Sequence, residues 1–250
     1  MSVVLKLDGK SYEAFHLAWD TDYFSVNSAK VLLKDNLSEE DQDRVINYSE
    51  SFDFVTITNL GNRNQNNIWI GKKLKAFLAD MNIQFIKQVS NDPELLDDTI
   101  NIYYSFPRNE TVLQIAKKTF LYSRFFNDSG LPSQLAHNIY VHWTECAFDK
   151  PDKYFVIRKI NDEIAGYLLF SINMDSSVAT MELMAVDDKF RGKSVGKSLT
   201  AGLESFAYKR GIRLIKVGTQ ADNVSAARFY TANGFKYESC SSVYHYWPNR

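Results

Sequence analysis

The 250-residue chain carries 29 basic and 30 acidic side chains, a net charge of −1 and 45% apolar residues, enough to fill the core of one large or two small domains. Balanced charge without blocks of like sign argues against a nucleic-acid or membrane-surface partner. The N-terminal apolar run is broken by Lys6 and Asp8, no run reaches membrane-spanning length, and Cys146 and Cys240 have neither metal-site nor redox spacing; a reduced, cytoplasmic protein without a metal is expected.

In the first half, strands are expected at 29–33, 54–58 and 83–89, with helices at 39–48 and 68–80 between them. A strand at 103–106 then leads into a helical run over 110–126. Residues 154–159, 164–172 and 178–186 read as a three-stranded meander, turned at Asn161-Asp162-Glu163 and at 173–177. A helix over 194–210 closes at Gly211, a strand follows at 213–218, and a helix over 223–233 has Asn223 at its N-cap and Gly234 just past its end. Segments 235–240 and 242–247 form a final strand pair. The fold class is α/β with a mixed sheet, divided into a smaller α/β domain at 1–105 and a second domain at 106–250. Residues 55–83 repeat the strand, Asn/Gln turn, helix, Asn, strand shape of 217–235, so the N-terminal half is expected to be a degenerate relative of the C-terminal unit.

Two segments carry chemistry. The first is Met184-Ala185-Val186-Asp187-Asp188-Lys189-Phe190-Arg191-Gly192-Lys193-Ser194-Val195-Gly196-Lys197. A strand that feeds a helix through such a loop aims free N–H groups and the helix's positive end at one point, which suits a pyrophosphate. Gly192 and Gly196 fit neither the P-loop nor the dinucleotide fingerprint, and a tight turn with two convenient glycines is the plainer alternative. In the second segment, from Gly218 to Phe235, helical spacing puts Asn223, Ala227 and Tyr230 on one face. Ala226 and Ala227 leave room for a ligand against the helix, while the plainer role of Tyr230 is core packing.

Together the two segments resemble the GNAT superfamily of acyl-CoA-dependent N-acyltransferases. Arg191 and Gly196 match its Arg/Gln-x-x-Gly-x-Gly/Ala loop, with Ser194 in place of the middle glycine, and Asn223, Ala226, Tyr230, Gly234 and Phe235 match its Asn-x-x-Ala-x-x-x-Tyr-x-x-x-Gly-Phe helix. The resemblance covers roughly residues 110–250 and implies a C-terminal GNAT fold. Ser194 is expected to take helical angles and to offer its hydroxyl to a phosphate. A narrower resemblance, to the bacterial dTDP-fucosamine acetyltransferases, rests on residues 17–29, on Ser123-Arg124-Phe125, and on the tail from Thr219-Gln220 through Glu238-Ser239 to Tyr246-Trp247. Those enzymes acylate the amino group of a dTDP-linked amino-dideoxyhexose.

These resemblances imply direct attack of an amine on the thioester of acyl-CoA, acetyl by default or a longer acyl group. The backbone of Met184, Ala185 and Val186 would hold the pantetheine arm, and Arg191, Gly192, Lys193, Ser194, Val195, Gly196 and Lys197 the pyrophosphate, with Asn223, Ala227 and Tyr230 along the cofactor helix. Tyr230 would act as general acid towards the thiolate. Glu182 is the candidate base, and its plainer reading is a salt-bridged surface carboxylate. Tyr122, Arg124 and Trp143 would contact the dTDP-amino sugar, His137 and His142 are expected to be structural, and Ile172, Met174 and Met184 would bound the acyl end. Alternatives are a GNAT enzyme acting on another small amine or a protein N-terminus, and a non-catalytic acyl-CoA-binding module. Oligomeric state is open.

Overall fold

The computed structural model describes residues 6–93 and 99–250. Its first half runs β1 (Lys6–Asp8), β2 (Tyr12–His16), α1 (Ala18–Phe24), β3 (Ser28–Leu33), α2 (Glu39–Ser49), β4 (Phe54–Asn59), α3 (Asn64–Lys73) and β5 (Phe77–Gln88). The second runs β6 (Ile100–Tyr104), α4 (Glu110–Thr119), α5 (Ser133–Ala147), β7 (Tyr154–Ile160), β8 (Glu163–Asn173), β9 (Val178–Val186), α6 (Val195–Lys209), β10 (Leu214–Gln220), α7 (Val224–Ala232) and β11 (Lys236–Tyr246).

All of these strands lie in one 11-stranded mixed sheet, in the order β1-β2-β3-β4-β11-β5-β10-β9-β8-β7-β6. Outward from the central β11–β5 pair the pattern is the same in both directions. On one side β11 is antiparallel to β4, β4 parallel to β3 and β3 antiparallel to β2. On the other, β5 is antiparallel to β10, β10 parallel to β9 and β9 antiparallel to β8. In each half a helix links the parallel pair, α2 or α6, and a second helix, α3 or α7, leads to the last strand. The last strands are exchanged: β5 sits against β10, and β11 against β4.

Three sequence expectations are corrected, the first two by this exchange. Residues 74–80, read as the end of a helix from their Leu, Lys and Ala, are the loop and first turns of β5, because pairing with β11 from Phe77 onward overrides helix propensity. The helix in this region is Asn64–Lys73. The two C-terminal strands are one strand, β11; Ser241, the residue between the two expected strands, and Ser242 are buried between β4 and β5, with Ser242 Oγ donating to Asn67 Oδ1 at 2.8 Å. The helical run at 110–126 ends at Thr119, after which extended chain leads to a 3₁₀ turn at Arg124–Asn127, capped by Ser123 Oγ accepting from Phe125 N at 3.3 Å.

The core falls into three clusters. Tyr12, Val31, Ile57 and Trp69 pack under the first half, and Phe170, Leu199, Leu203 and Ile215 between α6 and the sheet. A third unites Phe24 and Phe54 with Phe125, Ile139, Tyr167 and Trp247, so that α4 and α5 pack on both halves. The tail is tied to this cluster by Asp128 Oδ2, which lies 2.6 Å from His245 Nδ1 and accepts from Trp247 Nε1 at 3.1 Å.

Candidate active site

The site begins where a parallel pair comes apart. β9 and β10 are in register from Val178↔Leu214 to Met181↔Val217 and no further. At that point β9 carries an extra residue: Phe170 pairs with Met181 and Leu169 with Leu183, which leaves Glu182 as a bulge. A bulge bends its strand, and beyond it Met184 and Val186 pair only with β8, leaving their β10-facing edge open. The split leads into a cavity of about 660 Å³, bordered by Met184, Val186, Arg191, Gly218, Gln220 and Tyr230 among others. Gly218 lies opposite Gln84 of β5; a Cβ there would fall 2.6 Å from Gln84 Nε2, so glycine lets the exchanged strand's amide cross beneath the split.

At the near end of the cavity, the loop after β9 delivers the start of α6. Ser194, its N-cap residue, has φ 58° and ψ 16° and makes no side-chain cap hydrogen bond. It is therefore left-handed rather than helical, which explains why glycine suits this position: a side chain with positive φ is strained. With no side-chain cap, the N–H groups of Val195 and Gly196 at the start of the helix have no partner within it, and the first turn holds no acidic residue. The donor set fits an anion such as a pyrophosphate. Gly192 has φ 77° with open space where a Cβ would be, and a Cβ at Gly196 would come within 3.0 Å of Phe229, so α6 and α7 approach closely there. The side chains of Val195 and Ala185 are buried in the core, which leaves their backbone as the part on offer to a ligand. Arg191 is exposed and paired with Asp188 at 2.8 Å, and the Lys193 ammonium sits 5.2 Å from the Phe190 ring centroid.

α7 forms one wall. Asn223 caps it by accepting from Ala226 N at 3.2 Å and also accepts from Ser225 Oγ at 3.0 Å. Asn223, Ala226, Phe229 and Tyr230 border the cavity, whereas Ala227, half-buried against the same core cluster as Ala226, is not part of its lining: the face on the cavity follows an i, i+3, i+7 phase, one residue from the expected 223–227 pairing. Tyr230 is 6% exposed among Phe85, Phe229 and Phe235. Burial pushes its phenol up to about 12, so it keeps its proton at neutral pH.

The far end of the cavity is lined by Tyr122, Arg124 and Trp143 and by two β5 residues, Asp80 and Asn82. Tyr122 is 39% exposed, and its carbonyl accepts from Tyr140 Oη at 2.7 Å. Arg124 Nε and Asp80 Oδ1 are both buried with no hydrogen-bond partner. Burial pushes the Asp80 carboxyl up to about 6, against the pull of Arg124 and with the help of Asp222. Asp80 was missed in the sequence because it falls within the stretch read as helix; its one signal is the alternation Asp80, Asn82, Gln84, a polar stripe along one strand face.

Glu182 borders the cavity with its carboxylate bound by Lys153, Nζ to Oε1 2.6 Å. The structure gives both histidines structural partners. His137 stacks on Phe126 at 5.1 Å, with Nδ1 2.7 Å from the Ser133 carbonyl, and His142 stacks on Tyr23 at 4.5 Å. Of the three residues expected at the acyl end, only Met184 borders the cavity. Ile172 and Met174 lie at the β8–β9 turn, the opposite end of that hairpin from the split, and Met174 is 58% exposed. Among the described residues no helix is long and apolar enough to cross a membrane.

A family model described as the acetyltransferase (GNAT) family matches residues 113–235. The spore coat polysaccharide biosynthesis protein SpsD of Bacillus subtilis (strain 168) is 32% identical over 141 residues, covering 56% of this chain and 48% of that protein, so this match spans about half of the relative's length. The dTDP-fucosamine acetyltransferase of Escherichia coli O6:H1 is 24% identical over 241 residues, covering 94% of this chain and 96% of that one. Among solved structures, a tandem GNAT protein from the clavulanic acid biosynthesis pathway shares the fold, with a TM-score of 0.59 at 12% identity, over 89% of this chain and 76% of that chain. Residues 113–235, which hold both motifs, the split and the uncapped helix, are thus a GNAT acetyltransferase domain.

Proposed function

We infer that this protein transfers an acyl group, acetyl by default, from acyl-CoA to the amino group of a dTDP-linked amino-dideoxyhexose. The observation that carries the reading is the two-ended cavity: an open strand edge and Arg191, on the loop that leads to the uncapped start of α6, at one end, and aromatic side chains beside a buried, unpartnered arginine Nε and carboxylate oxygen at the other. A nucleotide-linked amino sugar offers a flat base, phosphates and an ammonium, the complements of those groups. The E. coli dTDP-fucosamine acetyltransferase, alike along almost the whole chain, supports the same acceptor class.

Bound acyl-CoA would supply the thioester. The first-turn N–H groups of α6 would hold its pyrophosphate, and the open edge of β9 at 184–186 would pair with the pantetheine arm and direct a backbone N–H at the thioester oxygen. Tyr230 would donate its proton to the departing sulfur; a thiol with a pKa near 8.5 needs modest help, on the order of 10²-fold. The test is thiol release from acetyl-CoA and longer acyl-CoA donors with a panel of dTDP-linked 3- and 4-amino sugars, set against simple amines and peptides with free N-termini. Release with the nucleotide sugars is the expected result. Release only with simple amines or peptides would move the acceptor to those classes, and binding of CoA without any release would leave a non-catalytic module.

A further inference from the structure

We propose that Asp80, carried on the strand that the N-terminal half contributes to the C-terminal site, is the base that takes the proton from the acceptor's ammonium. The inference rests on the reading of the protein as an amine acylase and adds to it the group that makes the amine nucleophilic. Asp80 and Tyr230 border the same cavity, on different walls. Asp80 stands on β5, where Val243 is its β11 partner, one strand over from β10, and Ala221 N donates to Met81 O at 2.8 Å to fix that strand beneath the end of β10. Its Oδ1 is buried and unpartnered, so within the protein it lacks a donor that an ammonium would supply. Arg124 lies close enough to favour its charged form yet forms no ion pair with it among the described residues. By contrast Glu182, the other carboxylate on the cavity, is held by Lys153 at 2.6 Å. A base that is already neutralised by a lysine has less to gain from a proton than one that is not.

The charged and titratable groups facing Asp80 are Arg124 from the 3₁₀ turn, Asp222 after β10, Tyr140 from α5 and Cys240 from β11. Burial outweighs Arg124 and holds the carboxyl at about 6, ionised at neutral pH and basic enough to accept a proton from an ammonium. The step balances as follows. The ammonium gives one proton to the Asp80 carboxylate; the amine nitrogen forms the bond to the thioester carbon and the carbon–sulfur bond breaks. The sulfur takes the Tyr230 proton, the nitrogen's surplus proton returns to the tyrosine through water, and Asp80 releases its own to solvent.

The test compares wild type, Asp80→Asn, Asp80→Glu and Glu182→Gln by thiol release with a dTDP-amino sugar from pH 5 to 9, alongside acetyl-CoA binding by calorimetry. For Asp80→Asn the expected result is a loss of about 10²-fold or more in kcat at pH 7, disappearance of the acidic limb of the profile, and unchanged acetyl-CoA affinity, which shows that the fold is intact. Asp80→Glu restores a titrating limb and part of the rate, and Glu182→Gln, whatever its rate, keeps the limb. If Asp80→Asn keeps the limb and most of the rate on an active wild-type background, or Glu182→Gln removes the limb, Asp80 is not the base. If wild type itself releases no thiol with any amine, the acylation reading falls, a result distinct from failure of the variant alone.

Discussion

The two halves present the same connectivity and opposite outcomes. In the first, β3 and β4 stay paired along their whole length, from Ser28↔Phe54 to Leu33↔Asn59, and the β2–β3 register beside them has no shift. In the second, pairing of β9 with β10 stops at Met181↔Val217, next to the bulge at Glu182. The helices after the first parallel strand differ in the same sense, although both have serine at the N-cap. Ser38 is extended, with φ −68° and ψ 163°, and its side chain accepts from Asp41 N, while Glu39, Glu40 and Asp41 fill the first turn. Ser194 is left-handed, makes no cap, and is followed by no acid. Where the second half leaves a slot, the first closes β4 with buried amides: Asn66 Nδ2 donates to Asn59 Oδ1 at 3.1 Å and to Asp35 O at 3.0 Å, and its Oδ1 accepts from Leu37 N at 3.1 Å. One inserted residue and one cap conformation therefore separate an open half from a closed one.

That contrast can be broken at several points. Tyr230→Phe should lower turnover by about 10²-fold in the thiol-release assay, with acetyl-CoA affinity within 2-fold, since the ring keeps its contacts with Phe85 and Phe235. Unaltered turnover would remove the acid assignment. In the closed half, Asn66→Ala leaves the buried Leu37 N–H without an acceptor and should cost about 2 kcal/mol in urea unfolding, with no effect on acetyl-CoA binding; a matching loss of affinity would show that the first half shapes the slot. Asp80→Asn should stabilise the protein above pH 6 by about 1–2 kcal/mol. The sign follows from a folded-state pKa raised to about 6: between the unfolded carboxyl value near 4 and that value the folded chain binds more protons, so wild-type stability falls as pH rises through the window and the variant's does not. Parallel stability curves across pH 4–7 would contradict it. Lys197→Glu, which gives α6 an acid at the place Asp41 holds in α2, should weaken acetyl-CoA binding by about 5-fold. The smallest effect is expected from Ser194→Gly, which relieves the positive φ and should raise unfolding stability by about 0.5–1 kcal/mol, net of the extra chain entropy of glycine; a loss of stability would mean that the serine side chain makes a compensating contact.

Much of the C-terminal half is legible in the sequence because local signals agree there. The meander turns at Asn161-Asp162 fall on residues with φ 50° and 62°, and Asn223 and Gly234 mark the ends of α7 as expected. The first half is harder to read because its decisive interactions are not local. Residues 77–80 fall in a stretch that favours helix on propensity and become strand through pairing with a segment more than 160 positions away. α5 escapes because Ile139, Tyr140, Val141 and Trp143 carry strand-like propensities, which burial against α4 and β8 overrides. The site follows the same rule. The loop and Tyr230 each lie within a contiguous motif, so their order along the chain shows them, whereas Asp80 joins them only through a strand exchange that no periodicity reports.

The exchange of last strands also sets a timetable for folding. During synthesis β4 waits with an unpaired edge until β11, the last strand of the chain, has been made, and β5 has neither neighbour until the second half emerges. Neither half can complete its sheet alone, and the open edges present backbone donors and acceptors to other chains in the interval. Closure of β4 against β11 joins residues such as Asn59 and Ser242, 183 positions apart in the sequence, a long-range and therefore slow contact. The same arrangement makes the cavity a product of the finished chain: the strand that brings Asp80 under the split is secured on its far side only when β11 docks.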